Sequence, residues 1–334
     1  MSFAAPLQPA DLEQAFTLYR LSRMLHVATE LGIAGHLASG ALDGEQLARR
    51  THTHAPTLAA LLDALASWGM FLRGEDGRYA LNAVSTRLVP GTGNAANVPF
   101  LLGWAGWPGT YEAFGNLMHT VRTGACALGD AGFHGYLARE PEMAQLYDRA
   151  MDATHDGFRR CADAYDFSGV RTLVDVGGGQ GAFCLEILRR YPALRAQCVD
   201  LPQVVAKGVV AGSAPCERLT LIGGDAMESL PGGADLYVTS TVLRCFADAA
   251  CLRLLRSVRA AMGPRSKLAA FEMVLPDPPD DVALCTANVV ARAVYGGRDR
   301  NEGEFRALLA AAGMQLVRTR PATPTVRVLE AIPV

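Results

Sequence analysis

The stretch Leu173–Phe183, LVDVGGGQGAF, is built like a ligand cradle: a strand-like run, a cluster of glycines and the opening of a helix. Glycines at such a turn let the backbone approach a ligand closely at the carboxyl end of a strand. Gly177, Gly179 and Ala182 also satisfy a dinucleotide fingerprint, so the glycines alone leave the ligand open. Three acids separate the readings. Asp175 stands two residues before the loop, where dinucleotide folds carry an apolar residue, and suits a ligand bearing an ammonium group. Asp200 ends the next strand-like run, CVDLP, where a carboxylate can accept both ribose hydroxyls. Asp225 and Met227 follow the third run, in IGGDAME, and offer a carboxylate and an apolar side chain to the edge and face of an adenine. Ammonium, ribose and adenine describe S-adenosylmethionine (SAM).

A second stretch, STVLRCFADAACLRLL from Ser240 to Leu255, stands where a catalytic segment is expected, yet its centre is Arg244 and Cys245. Arginine stays protonated at working pH and cannot act as a base, but its planar fork can hold an oxyanion.

The elements that must carry these residues are legible in the pattern. TLVDVG, AQCVDL, LTLIGGD, ADLYVTST and KLAAFEMVL alternate with helical runs, which predicts a parallel sheet with helices on both faces. The last two strand-like runs, GMQLVRTRPA and TVRVLEAIPV, predict an antiparallel hairpin at the sheet edge. Residues 1–105 read as a helical domain with a helix-turn-helix and a two-strand wing turning at GEDGR; 106–165 read as linking helices, and 166–334 as the α/β domain. The second helix of the winged unit, APTLAALLDALASWG, is apolar and acidic, so it offers nothing to a phosphate or a base edge and predicts a partner-binding surface instead.

With 31 Lys and Arg against 33 Asp and Glu, the net charge of −2 argues against a nucleic-acid groove. Charges interrupt every apolar stretch, so no membrane span is expected, and the N-terminus lacks the pattern of a secretory signal. The eight cysteines, at 126, 161, 184, 198, 216, 245, 251 and 285, form no CxxC pair and have no histidine at zinc spacing. A reducing cytoplasm, no metal and cysteines used as small apolar residues are the expectation.

From end to end the chain resembles the SAM-dependent O-methyltransferases of the caffeate and acetylserotonin type, whose bacterial members tailor antibiotics and pigments. The resemblance rests on TLAALLDALASWGMF, GYLAREPEMAQLYDRAM, VDVGGGQGAF, CVDLP, GGDAME and GGRDRNEGEFRALLAAAGM. It implies a Rossmann-like domain with a mostly parallel seven-stranded sheet, a helical N-terminal domain that intertwines in a homodimer, and a small aromatic substrate. Carried over, Asp175, Gly177 and Gly179 hold the methionine part of SAM, Asp200 with Leu201 the ribose, and Asp225 with Met227 the adenine; Ser240 completes the set.

The chain also departs from the family's pattern. The family's Leu-His-Asp-Trp run, whose histidine is the general base, is LRCFADAAC here, with Arg244 at the histidine position and Cys245 at the aspartate position. The later GGRERT is GGRDRN, with Asp299 for Glu; Asn288 replaces an Asp and Arg292 an apolar residue. Methyl transfer from a sulfonium needs proximity and an aimed lone pair, and a base only if a proton must leave. Loss of the histidine therefore predicts methylation, at O or N, of an acceptor that is acidic or a ring nitrogen. The alternative is a relative that keeps SAM and uses its charge for cyclisation, decarboxylation or oxidative chemistry. Arg244 either faces the pocket or turns to pair with Asp248 or another carboxylate. His155 is the candidate replacement base and His119 a second. Trp104, Trp107 and Tyr295 would wall a flat substrate, with Cys245, Cys285, Asn288 and Arg292 lining the pocket; His52 and His54 are expected to face solvent.

Overall fold

The apolar spacing of the first third makes helices whose buried faces meet. In the computed structural model, which describes residues 12–15, 17–90, 106, 108–129, 132–152, 155–209 and 216–334, the helix Ala55–Ser67 buries Leu58, Leu62 and Leu65 along one side. They pack with Ile33, Leu37, Leu47, Phe71 and Tyr79. Full burial of each such leucine contributes at most about 1.5–3 kcal/mol. Asp43 and Gln46 close a reciprocal capping box on the helix Gly44–Thr51. The wing is a short antiparallel pair, β1 (Leu72–Arg73) and β2 (Tyr79–Ala80). Its Tyr79 hydroxyl donates to Asp63 at 2.7 Å, and Asp63 also pairs with Arg73. Leu18, Tyr19 and Val27 on the helix Leu18–Glu30 are exposed.

Two units divide the chain: residues 1–112 with 137–153, and residues 113–136 with 154–334. The linking segment 106–165 is thus shared between them. No helix among the described residues is long and apolar enough to cross a membrane, and no group of His, Cys, Asp or Glu among them is placed to hold a metal ion.

In the second unit, runs of branched apolar residues form β3 (Thr172–Val176), β4 (Arg195–Asp200), β5 (Leu219–Gly223), β6 (Leu236–Ser240) and β7 (Lys267–Leu275), all parallel. The hairpin is β9 (Met314–Pro321) and β10 (Val326–Pro333), and β10 inserts antiparallel between β7 and β9. The seven-strand order is β5-β4-β3-β6-β7-β10-β9; a two-residue strand, β8 (Arg300–Asn301), pairs beside the end of β7. Alternation splits the core across the sheet: Val174, Val176, Leu268 and Ala270 pack on one face, and Leu173, Val238, Ala269 and Phe271 on the other. The strand order reverses between β3 and β6, so the carboxyl ends of those two strands open the crevice where such sheets take ligands.

Candidate active site

Gly177, Gly179 and Gly181 hold φ of 71°, 62° and 79°, which lets the loop after β3 turn sharply into the helix Ala182–Arg190. Across the crevice, β6 ends at the half-buried Ser240, and Thr241 follows with φ 55°. A β-branched residue in the left-handed region is strained, the kind of strain that packed functional sites sustain. Asp175 is fully buried under the loop; its Oδ2 accepts the Cys184 thiol at 3.4 Å, while Oδ1 has no partner among the described residues. Burial pushes its pKa up to about 7, against the lowering effect of the Cys184 thiol. Asp200 accepts the Gly179 N–H at 2.8 Å and the Leu201 N–H at 2.7 Å, tying the second strand end to the loop. Asp225 is exposed, accepts the Met227 N–H at 2.8 Å and has Arg253 nearby, while Met227 packs on the core. A buried carboxylate oxygen without a partner among the described residues, beneath a glycine-rich loop and beside two further strand-end acids, fits a ligand with an ammonium group and a nucleoside.

The turn Leu243–Cys245 lies just beyond. Arg244 does not reach Asp248. Its Nε donates to Asp299 Oδ1 at 2.7 Å, and its Nη2 to Asp299 Oδ2 at 2.9 Å and to the Ala287 carbonyl at 3.0 Å. The Asp299 side chain has no exposure and that of Arg244 only 12%. Burial opposes the charge, but the bonds to Asp299 and that carboxylate's charge outweigh it, so Arg244 is held protonated. Nη1 makes no hydrogen bond among the described residues, yet it is not sealed from the surface. Asp248 is taken by Arg298 and Arg300 instead. Arg300, fully buried, also donates to the carbonyls of Leu243 and Phe246, so the GGRDR segment clamps the turn from below. Glycine permits this approach: a Cβ on Gly297 would strike the Arg244 carbonyl.

Other expected residues are placed less uniformly. The Asn288 side chain accepts the Asp299 N–H at 2.9 Å, so it positions the carboxylate that holds Arg244. Tyr295 closes a π-helical turn, meets Phe133 edge-on at 4.8 Å between ring centroids and lies near Arg244. Cys245 is half-buried with its thiol pushed up to about 12, chiefly by burial, which leaves no thiolate nucleophile. Arg292 is exposed and makes no ion pair among the described residues. His119 is exposed on the helix Leu117–Thr123, not enclosed in a pocket wall. Cys285 is half-buried on the helix Val282–Val290, and His52 and His54 are exposed. His155 begins the helix His155–Asp163, while Trp104 and Trp107 lie outside the described residues.

Sequence reasoning missed Glu272. It is fully buried on β7; its Oε1 accepts the N–H groups of Val242 and Leu243 at 3.0 and 2.9 Å, and its Oε2 has no partner among the described residues. Burial pushes its pKa up to about 7. The available signal was an acid inside the otherwise apolar run KLAAFEMVL.

Residues 115–315 match the O-methyltransferase domain, and residues 13–91 match the O-methyltransferase dimerisation domain. The chain belongs to the O-methyltransferase family. The methyltransferase is 33% identical over 309 residues to the mitomycin biosynthesis 6-O-methyltransferase of Streptomyces lavendulae, covering 90% of this chain and 87% of that one. Among solved structures, the mitomycin 7-O-methyltransferase MmcR superposes with a TM-score of 0.91 at 31% identity, over 97% of each chain. The O-methyltransferase NcsB1 of neocarzinostatin biosynthesis, solved with SAM and 2-hydroxy-5-methyl naphthoic acid, superposes with a TM-score of 0.81 at 25% identity, over 94% of this chain and 96% of that one. The enzyme is a SAM-dependent O-methyltransferase.

Proposed function

We propose that this methyltransferase alkylates an oxygen already ionised at working pH, on a small aromatic or heteroaromatic natural-product intermediate. The observation that supports it best is the bidentate pair of Arg244 with Asp299, which leaves Nη1 without a partner among the described residues. By the resemblance of the flanking motif, Arg244 stands at the position of the family's histidine base. A guanidinium held by a carboxylate does not accept a proton, but Nη1 can donate to an oxyanion. A carboxylate or an acidic phenol or enol has no proton to lose near neutrality, so it does without the roughly 10²–10⁴-fold that a general base contributes.

When bound, SAM supplies a methyl carbon on a positively charged sulfur, an electrophile open to in-line displacement. In this reading Asp175 holds the ammonium, Asp200 with Leu201 the ribose and Asp225 with Met227 the adenine, while Gly177, Gly179 and Ser240 border the crevice. Arg244 orients the acceptor oxygen and Asp299, fixed by Asn288, orients Arg244. Cys245 and Tyr295 border the same side; Arg292 would meet a second anionic group, with His119 further out. His155 is the candidate to take a proton from an acceptor that is not yet ionised. One relative acts in mitomycin biosynthesis and another binds a hydroxynaphthoic acid, which supports a small aromatic acceptor here. The dimerisation-domain match and the exposed Leu18, Tyr19 and Val27 support a homodimer.

The test is labelled-methyl transfer from SAM to acceptors ranging from aromatic carboxylic acids to simple phenols, for the wild type, Arg244→Ala and Arg244→His. Arg244→Ala is expected to lose roughly 10²-fold on the acidic acceptors, as for removal of one oxyanion donor. Arg244→His is expected to gain on simple phenols as pH rises. Unchanged turnover in Arg244→Ala, or acceptor conversion without S-adenosylhomocysteine, would overturn the reading.

A further inference from the structure

Below the glycine loop, two thiols that the mechanism does not use meet the buried carboxylate. Cys184, on the first turn of the helix Ala182–Arg190, has no exposure and donates to Asp175 Oδ2 at 3.4 Å. Cys198, on β4 and also without exposure, donates to the Gly179 carbonyl at 3.5 Å. A Cβ on Gly178 would lie 2.5 Å from Asp175 Oδ2 and 2.7 Å from the Cys198 sulfur, so the loop rests directly on carboxylate and thiol. Asp200 meets the same loop from the other side through Gly179.

We propose that Cys184 is a positioning residue for cofactor binding: its thiol proton keeps Asp175 charged beneath the glycine loop, ready for the ammonium group of the ligand. The inference rests on the assignment of Asp175 to that ammonium.

A carboxylate without exposure and with one oxygen unpartnered is costly to ionise, and each hydrogen bond to it favours the charged form. Among the described residues no arginine, lysine or histidine donates to Asp175; its donor there is the Cys184 thiol. The charged groups and thiols that act around it are Cys184 from the helix, Cys198 and Asp200 from β4, and of these Asp200 disfavours its ionisation. The bond with the Cys198 thiol, then burial and the neighbouring acid, hold Cys184 itself well above the usual thiol range, so it stays a donor across the working pH. A thiol is a weak donor, so the support is partial. That agrees with the Asp175 carboxyl remaining near 7. Ligand affinity should therefore fall as pH drops through neutrality, and the position of that fall should report the thiol.

The experiment is calorimetric binding of S-adenosylhomocysteine to the full chain across neutral pH, with 5′-methylthioadenosine as a probe that lacks the amino-acid part. The wild type should lose close to tenfold in S-adenosylhomocysteine affinity per pH unit below the midpoint, with methylthioadenosine flat. Cys184→Val, which is apolar and carries no donor, should raise the midpoint by about half to one pH unit, a threefold to tenfold loss at neutral pH. Cys184→Ser should restore the midpoint. A Cys184→Val midpoint equal to the wild type, or equal losses for the two ligands, would show packing alone and overturn the role of the thiol. Wild-type affinity independent of pH, together with full binding by Asp175→Asn, would instead overturn the ammonium assignment and the thiol's role with it.

Discussion

Asp299→Asn separates the charge of the Arg244 partner from its shape. The carboxylate takes two N–H groups of the guanidinium at 2.7 and 2.9 Å; an amide can accept one, and its NH₂ then faces a donor. Removing one partner of a buried ion pair costs about 3–5 kcal/mol. Arg244 keeps its bond to the Ala287 carbonyl and 12% exposure, so part of its charge is still solvated and the cost falls below that range, to about 2–3 kcal/mol. For a unit of this size that is a fall of roughly 4–12 °C in Tm. Urea unfolding at neutral pH, read with an unchanged m-value, measures it. Arg244→Met combined with Asp299→Leu removes both charges and should return to within about 1 kcal/mol of the wild type, because well-packed apolar residues can replace a buried pair. A loss below about 0.5 kcal/mol in Asp299→Asn, or a double variant as unstable as the sum of the singles, would refute the claim that a desolvated pair holds Arg244.

Two other substitutions probe the same turn. Glu272 has its pKa raised by burial to about 7 from an ordinary 4.5, so it contributes stability that is complete below its unfolded value and lost as pH rises toward 7. Glu272→Gln should remove up to about 3 kcal/mol of that pH dependence, so that urea midpoints at acidic and alkaline pH draw together; an unaltered difference would mean that Glu272 is charged in the fold. Gly297→Ala forces a methyl into the Arg244 carbonyl and should cost about 1–3 kcal/mol, with methyl transfer reduced more than cofactor affinity. Unchanged transfer by Gly297→Ala would mean that the GGRDR segment does not set the turn.

What could be read in advance was local. The glycine loop, the acids at the ends of β3, β4 and β5 and the closing hairpin each carry their signal within a few residues, through strand period, turn chemistry and side-chain type. Arg244 was visible as the unusual residue, but its partner lies 55 positions away and could not be chosen among the carboxylates of the chain. Asp248 looked the natural choice because it is near in sequence; Arg298 and Arg300 take it because β8 runs beside the end of β7. Glu272 was hidden for another reason: period-2 reading treats an acid in an apolar strand as a surface position, whereas here it faces the backbone of the next turn.

By itself the sequence determined the order of elements and the kind of cofactor edge they build, because both depend on residue type at short spacing. Only the tertiary structure decided what Arg244 is. Burial beside a carboxylate without exposure makes it a fixed cation, and the packing of Gly297 against its backbone decides that Asp299, not Asp248, holds it. Contacts across tens of residues are chosen by the whole sheet, since a buried charge is stable only where the folded chain brings it a partner.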